Sequence, residues 1–109
     1  MIIRLVTMTF KDDCIEEFIE LFHEVQPLIK NFEGCKQVSL LKDVNDKKIM
    51  MTYSIWESEN NLNHYRYSEF FKETWTRTKK LFLEKAQARS LEMIDKIWIN
   101  SLIPSSFNQ

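Results

Sequence analysis

The stretch YSIWESENNLNHYRYSEFF, residues 53–71, gathers the residue types that could act on a small molecule. His64 is its one imidazole, and imidazole is the side chain that titrates nearest neutral pH, so His64 is the candidate proton acceptor. Tyr65 stands beside it, where the helical pattern breaks, and a buried hydroxyl there needs a polar partner. These two are the candidate catalytic residues. Tyr53, Phe70, Phe71 and the nearby Trp75 are candidate walls for an aromatic ligand. Each residue also has a plainer reading. A His next to a Tyr on a helix is often a solvated flank, and aromatics at helical spacing are often core. Arg66 and Arg89 could hold an acidic ligand oxygen or pair at a surface or interface. His23 and the Lys79–Lys80 pair read as solvated.

Composition narrows the chemistry further. The 109 residues suit one compact domain, with 44% apolar and 28% charged residues. A net charge of −1 gives no basic field for a phosphate backbone, so no nucleic-acid partner is expected. The single glycine, Gly34, excludes a glycine-rich phosphate loop or dinucleotide fingerprint. His23 and His64 form no HxxxH or HExxH pair, and Cys14 and Cys35 form no CxxC, so neither a metal nor an organic cofactor is expected. The opening MIIRLVTMTF is too short and too alternating for a signal peptide or membrane span. Two unpaired cysteines fit a cytoplasmic protein.

The elements that must position these residues follow from periodicity. IIRLVTMTF predicts a strand over residues 2–10 with apolar groups on both faces, hence a sheet covered on both sides. KDDCIEEFIELFHEVQPLIKNFEG predicts a helix. Ile15, Phe18, Phe22, Val25, Ile29 and Phe32 form its apolar stripe, with Leu21 and Leu28 beside it. Asp13 and Glu16 have capping-box spacing, Pro27 should kink the last turns, and Gly34 should mark the stop. Residues 35–42 and 48–57 read as a hairpin joined at VND. Ser58 can cap a short helix to about Arg66, and Ser68 a second to about Phe82, with Phe71, Trp75, Thr78 and Phe82 on one stripe. Residues 86–95 read as the last strand. The order β-α-β-β-α-β is the α+β, ferredoxin-like pattern: a four-stranded antiparallel sheet with helices on one face. Apolar residues on the other face predict a homodimer with facing sheets. The apolar tail 96–109, KIWINSLIPSSFNQ, should dock on the partner subunit or cover its own sheet edge.

The opening strand, the NFEGC helix end, the strand end YSIWES and the segment LNHYRYSEFF resemble, in order and spacing, the antibiotic biosynthesis monooxygenase (ABM) domain family of dimeric α+β barrels. The resemblance covers residues 1–95 and leaves the tail outside. It implies oxidation of an electron-rich aromatic by O2, often without metal or organic cofactor. Deprotonation makes a phenol or quinol a good electron donor, and the protein supplies an apolar slot, a proton acceptor and oxygen-binding donors. The family's histidines after the strand end correspond here to Tyr65 and Phe70, and a common Glu to Ser54. The Asn, Trp and His of heme-degrading members would fall at Leu5, Tyr65 and Trp75, and none matches.

The resulting expectation is a cofactor-independent monooxygenase on a small aromatic or quinol-like compound, with His64 or a tyrosine taking the proton. A non-catalytic dimeric binding or regulatory module of the same fold is the alternative. A heme-binding or heme-degrading protein comes third, opposed by the missing triad.

Overall fold

The structure is a computed structural model that describes residues 1–95. Strand β1 (Ile2–Phe10) leads through a short 3-10 turn (Asp12–Cys14) into helix α1 (Ile15–Lys30). Strands β2 (Cys35–Lys42) and β3 (Ile49–Trp56) form the hairpin, helices α2 (Glu59–Arg66) and α3 (Glu69–Lys79) follow, and β4 (Phe82–Glu92) closes the sheet. The strand order is β2-β3-β1-β4 and every pairing is antiparallel. The ferredoxin-like expectation holds. The tail 96–109, and with it the predicted docking, lies outside the described residues.

Strand alternation divides the sheet into two faces. Val6, Met8 and Phe10 of β1 and Met50 and Trp56 of β3 meet Phe18, Leu21, Phe22, Val25 and Ile29 of α1. Phe10 stacks on Phe18 with ring centroids 4.3 Å apart. Each such side chain contributes about 1.5–3 kcal/mol on burial, so this layer dominates stability. Gln26 of α1 donates a 2.9 Å hydrogen bond to the Val38 carbonyl of β2, which satisfies an acceptor on the sheet's edge strand.

Several local expectations are corrected. The Asp13–Glu16 capping box does not form. Asp13 lies in the 3-10 turn and accepts from the Cys14 thiol instead, and Cys14 is an N-cap without a side-chain bond. Leu28 is exposed, because burial follows the stripe through Val25 and Ile29. Phe82 opens β4 rather than ending α3, and β4 starts four residues before the predicted position 86. Its side chain sits at the right helical step for the Phe71–Trp75–Thr78 stripe, but pairing with Phe10 of β1, rings 5.5 Å apart, overrides that local period.

Both serine caps form. Ser58 accepts from the Asn61 amide and donates to the Asn61 side-chain oxygen, and Ser68 accepts from the Phe71 amide and donates to the Tyr65 carbonyl. Gly34 has φ +82° and its carbonyl accepts from the Glu57 amide at 2.8 Å. This left-handed corner sets where β2 begins, and Asn61 of α2 rests directly against it.

Candidate functional site

Between the helices and the sheet lies a cavity of about 260 Å³. Its floor is Val6 and Met8 of β1 with Thr52 and Ser54 of β3, and its roof is the α1 stripe. Tyr65 of α2 and Phe71, Thr74, Trp75 and Thr78 of α3 form the remaining wall. The two capped helices produce this wall directly. The Ser68 cap turns the chain between Tyr65 and Phe71, so the last turn of one helix and the first of the next face the same space. The Arg77–Glu24 ion pair, 3.0 Å, ties α3 to α1 outside the cavity.

The aromatic wall is ordered by ring contacts. The Trp56 indole is fully buried, donates to the Ser54 hydroxyl at 2.9 Å and stacks on Tyr65 with centroids 5.1 Å apart. Tyr65 meets Phe71 edge-on at 5.1 Å, and Phe71 stacks on Trp75 at 5.9 Å. Burial, with a smaller contribution from Cys35, pushes the Tyr65 phenol well above its ordinary range. That group is therefore a neutral hydrogen-bonding hydroxyl and a poor proton acceptor.

The sequence-predicted residues divide into two groups. Tyr65, Phe71 and Trp75 come together on the cavity wall. His64 does not: it is exposed on the outer side of α2, with its ring 6.4 Å from Phe32. Tyr65 and Arg66 line the cavity, and His64, one step back along the helix, is turned to the outer side. Phe70 packs behind the wall against Phe32, 5.7 Å, and Tyr65. Tyr53 sits on the sheet face away from the helices, between Leu5 and Ser39 in register, because strand alternation sends it opposite to Ser54. Of the arginines weighed, Arg66 lines the cavity and Arg89 pairs with Leu5 on the other face.

Sequence reasoning missed Arg4, Thr52 and Thr74. Arg4 lines the cavity and donates to the Ser90 hydroxyl at 2.9 Å. Its signal was present: Arg4 alternates in phase with Val6, Met8 and Phe10, so a cation stands on the helix-facing side of a central strand. Burial, then the neighbouring Arg66 charge, lowers the Arg4 guanidinium from its usual value. Among the described residues, the site thus offers an apolar slot with hydroxyls and two cations, and no carboxylate.

Solved structures share this architecture. A candidate antibiotic biosynthesis monooxygenase from Nitrosomonas europaea superposes with a TM-score of 0.80 at 13% identity, over 87% of this chain and 100% of that one. A candidate monooxygenase of the same description from Caulobacter crescentus gives 0.80 at 17% identity, over 86% and 90%. A conserved Methanosarcina mazei protein gives 0.79 at 19%, over 84% and 92%. At these identities the likeness is one of fold. A Haloarcula marismortui protein whose name assigns it heme binding is 34% identical over 66 residues, 61% of this chain, and the chain spans only 10% of that relative's length. Residues 1–77, which carry β1 through most of α3 and nearly all of the cavity wall, match the antibiotic biosynthesis monooxygenase family, and the chain belongs to that family.

Proposed function

We propose that this protein takes one small aromatic or quinol-like molecule into the helix–sheet cavity and oxidises it with O2, without a metal or organic cofactor. The observation that carries this reading is the aromatic wall of Tyr65, Phe71 and Trp75 around an apolar slot, in a chain of this family. The redox chemistry is the substrate's own. A ring methylene or C–H flanked by phenolic oxygens loses a proton, passes electrons to O2 and becomes a carbonyl, one oxygen atom entering the product and the other leaving as water. The Tyr65 hydroxyl donates a hydrogen bond to a substrate oxygen. Trp75 and Phe71 hold the ring. His64, on the outer side of α2, has no direct access to the reacting atoms.

Oxygen consumption with a panel of quinols and anthrones tests the reading. Turnover with at least one of them, reduced tenfold or more in Trp75→Ala, is the expected result; ligand binding without oxygen uptake by any of them overturns the catalytic part. That outcome belongs to the second reading, a non-catalytic binding module, which one observation favours: among the described residues, no imidazole or carboxylate stands on the cavity wall.

Heme does not fit the residues present. The cavity lies below the roughly 300–1,000 Å³ of drug-sized sites, and a porphyrin belongs at the large end of that range. Neither histidine lines the cavity, so imidazole ligation is not available there.

The reading includes a homodimer formed through the helix-free sheet face, supported by Leu5, Met51, Tyr53 and Leu41 standing together on that face. It also places the protein in the cytoplasm, supported by the two free thiols. No helix among the described residues is long and apolar enough to cross a membrane.

A further inference from the structure

Among the described residues, two cations and no anion stand on the cavity wall. Arg4 reaches it from the central strand β1 and Arg66 from the last residue of α2. They are close enough to repel each other, and among the described residues neither is paired with a carboxylate. Arg4 has the Ser90 hydroxyl as its one side-chain partner, and Arg66 has no hydrogen bond of its own among the described residues. On the surface, where water screens charge, Lys36, Lys47, Lys72 and Arg77 have acidic partners. Two half-buried guanidinium groups facing one space without a counter-charge are an unfavourable arrangement on their own. A ligand that brings the missing negative charge relieves it. The planar fork of a guanidinium matches a planar oxyanion in two-point contact.

The rest of the cavity states what the anion must be attached to. Beyond the arginines the walls are aliphatic and aromatic, with hydroxyl-bearing side chains at Thr52, Ser54, Tyr65, Thr74 and Thr78. The Ser54 hydroxyl already accepts from Trp56. A volume of about 260 Å³ accommodates one or two fused rings. A bare inorganic anion would leave that apolar space unfilled, and a neutral aromatic would leave both cations unpaired.

Resting on the cavity reading above, we propose that this site selects its ligand as an anion: a one- or two-ring aromatic bearing an ionised planar oxygen group, such as a carboxylate, set against Arg4 and Arg66 with its rings against Tyr65, Phe71 and Trp75. The same pair would favour the deprotonated form of a phenolic oxygen bound there, which gives proton loss a driving force that no side chain on the wall supplies as a base.

Calorimetric titration with 2-naphthoate and its neutral isostere 2-naphthamide tests this. The expected result is naphthoate binding at least about tenfold tighter than the amide, with the difference shrinking as salt is raised. Arg66→Met should remove most of that preference, read as the ratio of the two affinities, and Arg4→Lys should keep part of it. Arg66 sits at a helix end, so this variant reports even if changes at Arg4 disturb the sheet. Equal affinity for the two probes, or an unchanged preference in Arg66→Met, overturns the anion assignment while the cavity reading stands. Failure of both probes to bind overturns both.

Discussion

At the scale of single residues, Tyr65 illustrates how one position serves packing and chemistry together. Its ring lies between Trp56, Phe32 and Phe71, and the residue lines the cavity. Burial raises its pKa, and the sign of the consequence is fixed. The unfolded chain's phenol ionises near pH 10, whereas the folded one keeps its proton beyond that. The stabilisation is therefore fully present below about pH 10 and declines as pH rises past it. Urea midpoints measured from pH 8 to 11 should fall at the alkaline end, and Tyr65→Phe should flatten that fall. Tyr53, raised more weakly by burial, leaves a residual slope. The resemblance set a family histidine position at Tyr65 and left His64 beside it as the nearby imidazole; the rotation of α2 separates them, turning Tyr65 and Arg66 to the cavity and His64 outward.

Among the elements, the corner from β3 to α3 carries the most information per residue. Ser58, Ser68 and Gly34 were all legible as a cap, a cap and a stop, because each acts through local backbone chemistry. Ser68→Ala should cost about 1 kcal/mol in denaturant unfolding and loosen ligand binding more than Ser58→Ala, because the Ser68 turn sets Tyr65 against Phe71. Gly34→Ala should cost more than about 1 kcal/mol, combining a left-handed φ with a Cβ placed in collision with the Asn61 side chain. A melting temperature equal to the parent's would contradict that account. The start of β4 was not legible: Phe82 satisfies the helical period from Phe71 and Trp75, and only its pairing with Phe10 assigns it to the sheet.

For the whole molecule, the two sheet faces have different tasks. The helix side holds the core and the cavity, while the other side presents Leu5, Met51, Tyr53 and Leu91, the last of these exposed. A stable homodimer needs roughly 1,200–2,000 Å² of buried surface in total, and a four-stranded sheet face is of the right order per partner. Met51→Lys should then shift the protein from dimer to monomer in sizing chromatography at micromolar concentration. It should leave the helix-side cavity in place, since Met51 points away from it. A parent protein that elutes as a monomer at that concentration would remove the facing-sheet arrangement.

The sequence by itself determined the element order, the two serine caps, the glycine corner and the apolar stripe of α1. All of these depend on contacts within a few residues or on a fixed period. It also brought Tyr65, Phe71 and Trp75 forward as a group, since they lie within one short stretch. Only the tertiary structure decided that Tyr53 faces away, that His64 stands outside, and that Arg4 from the first strand meets Arg66 from the second helix at one cavity. Those outcomes depend on strand register and helix rotation, which bring together residues distant in sequence and are set by the packing of the core rather than by any local pattern.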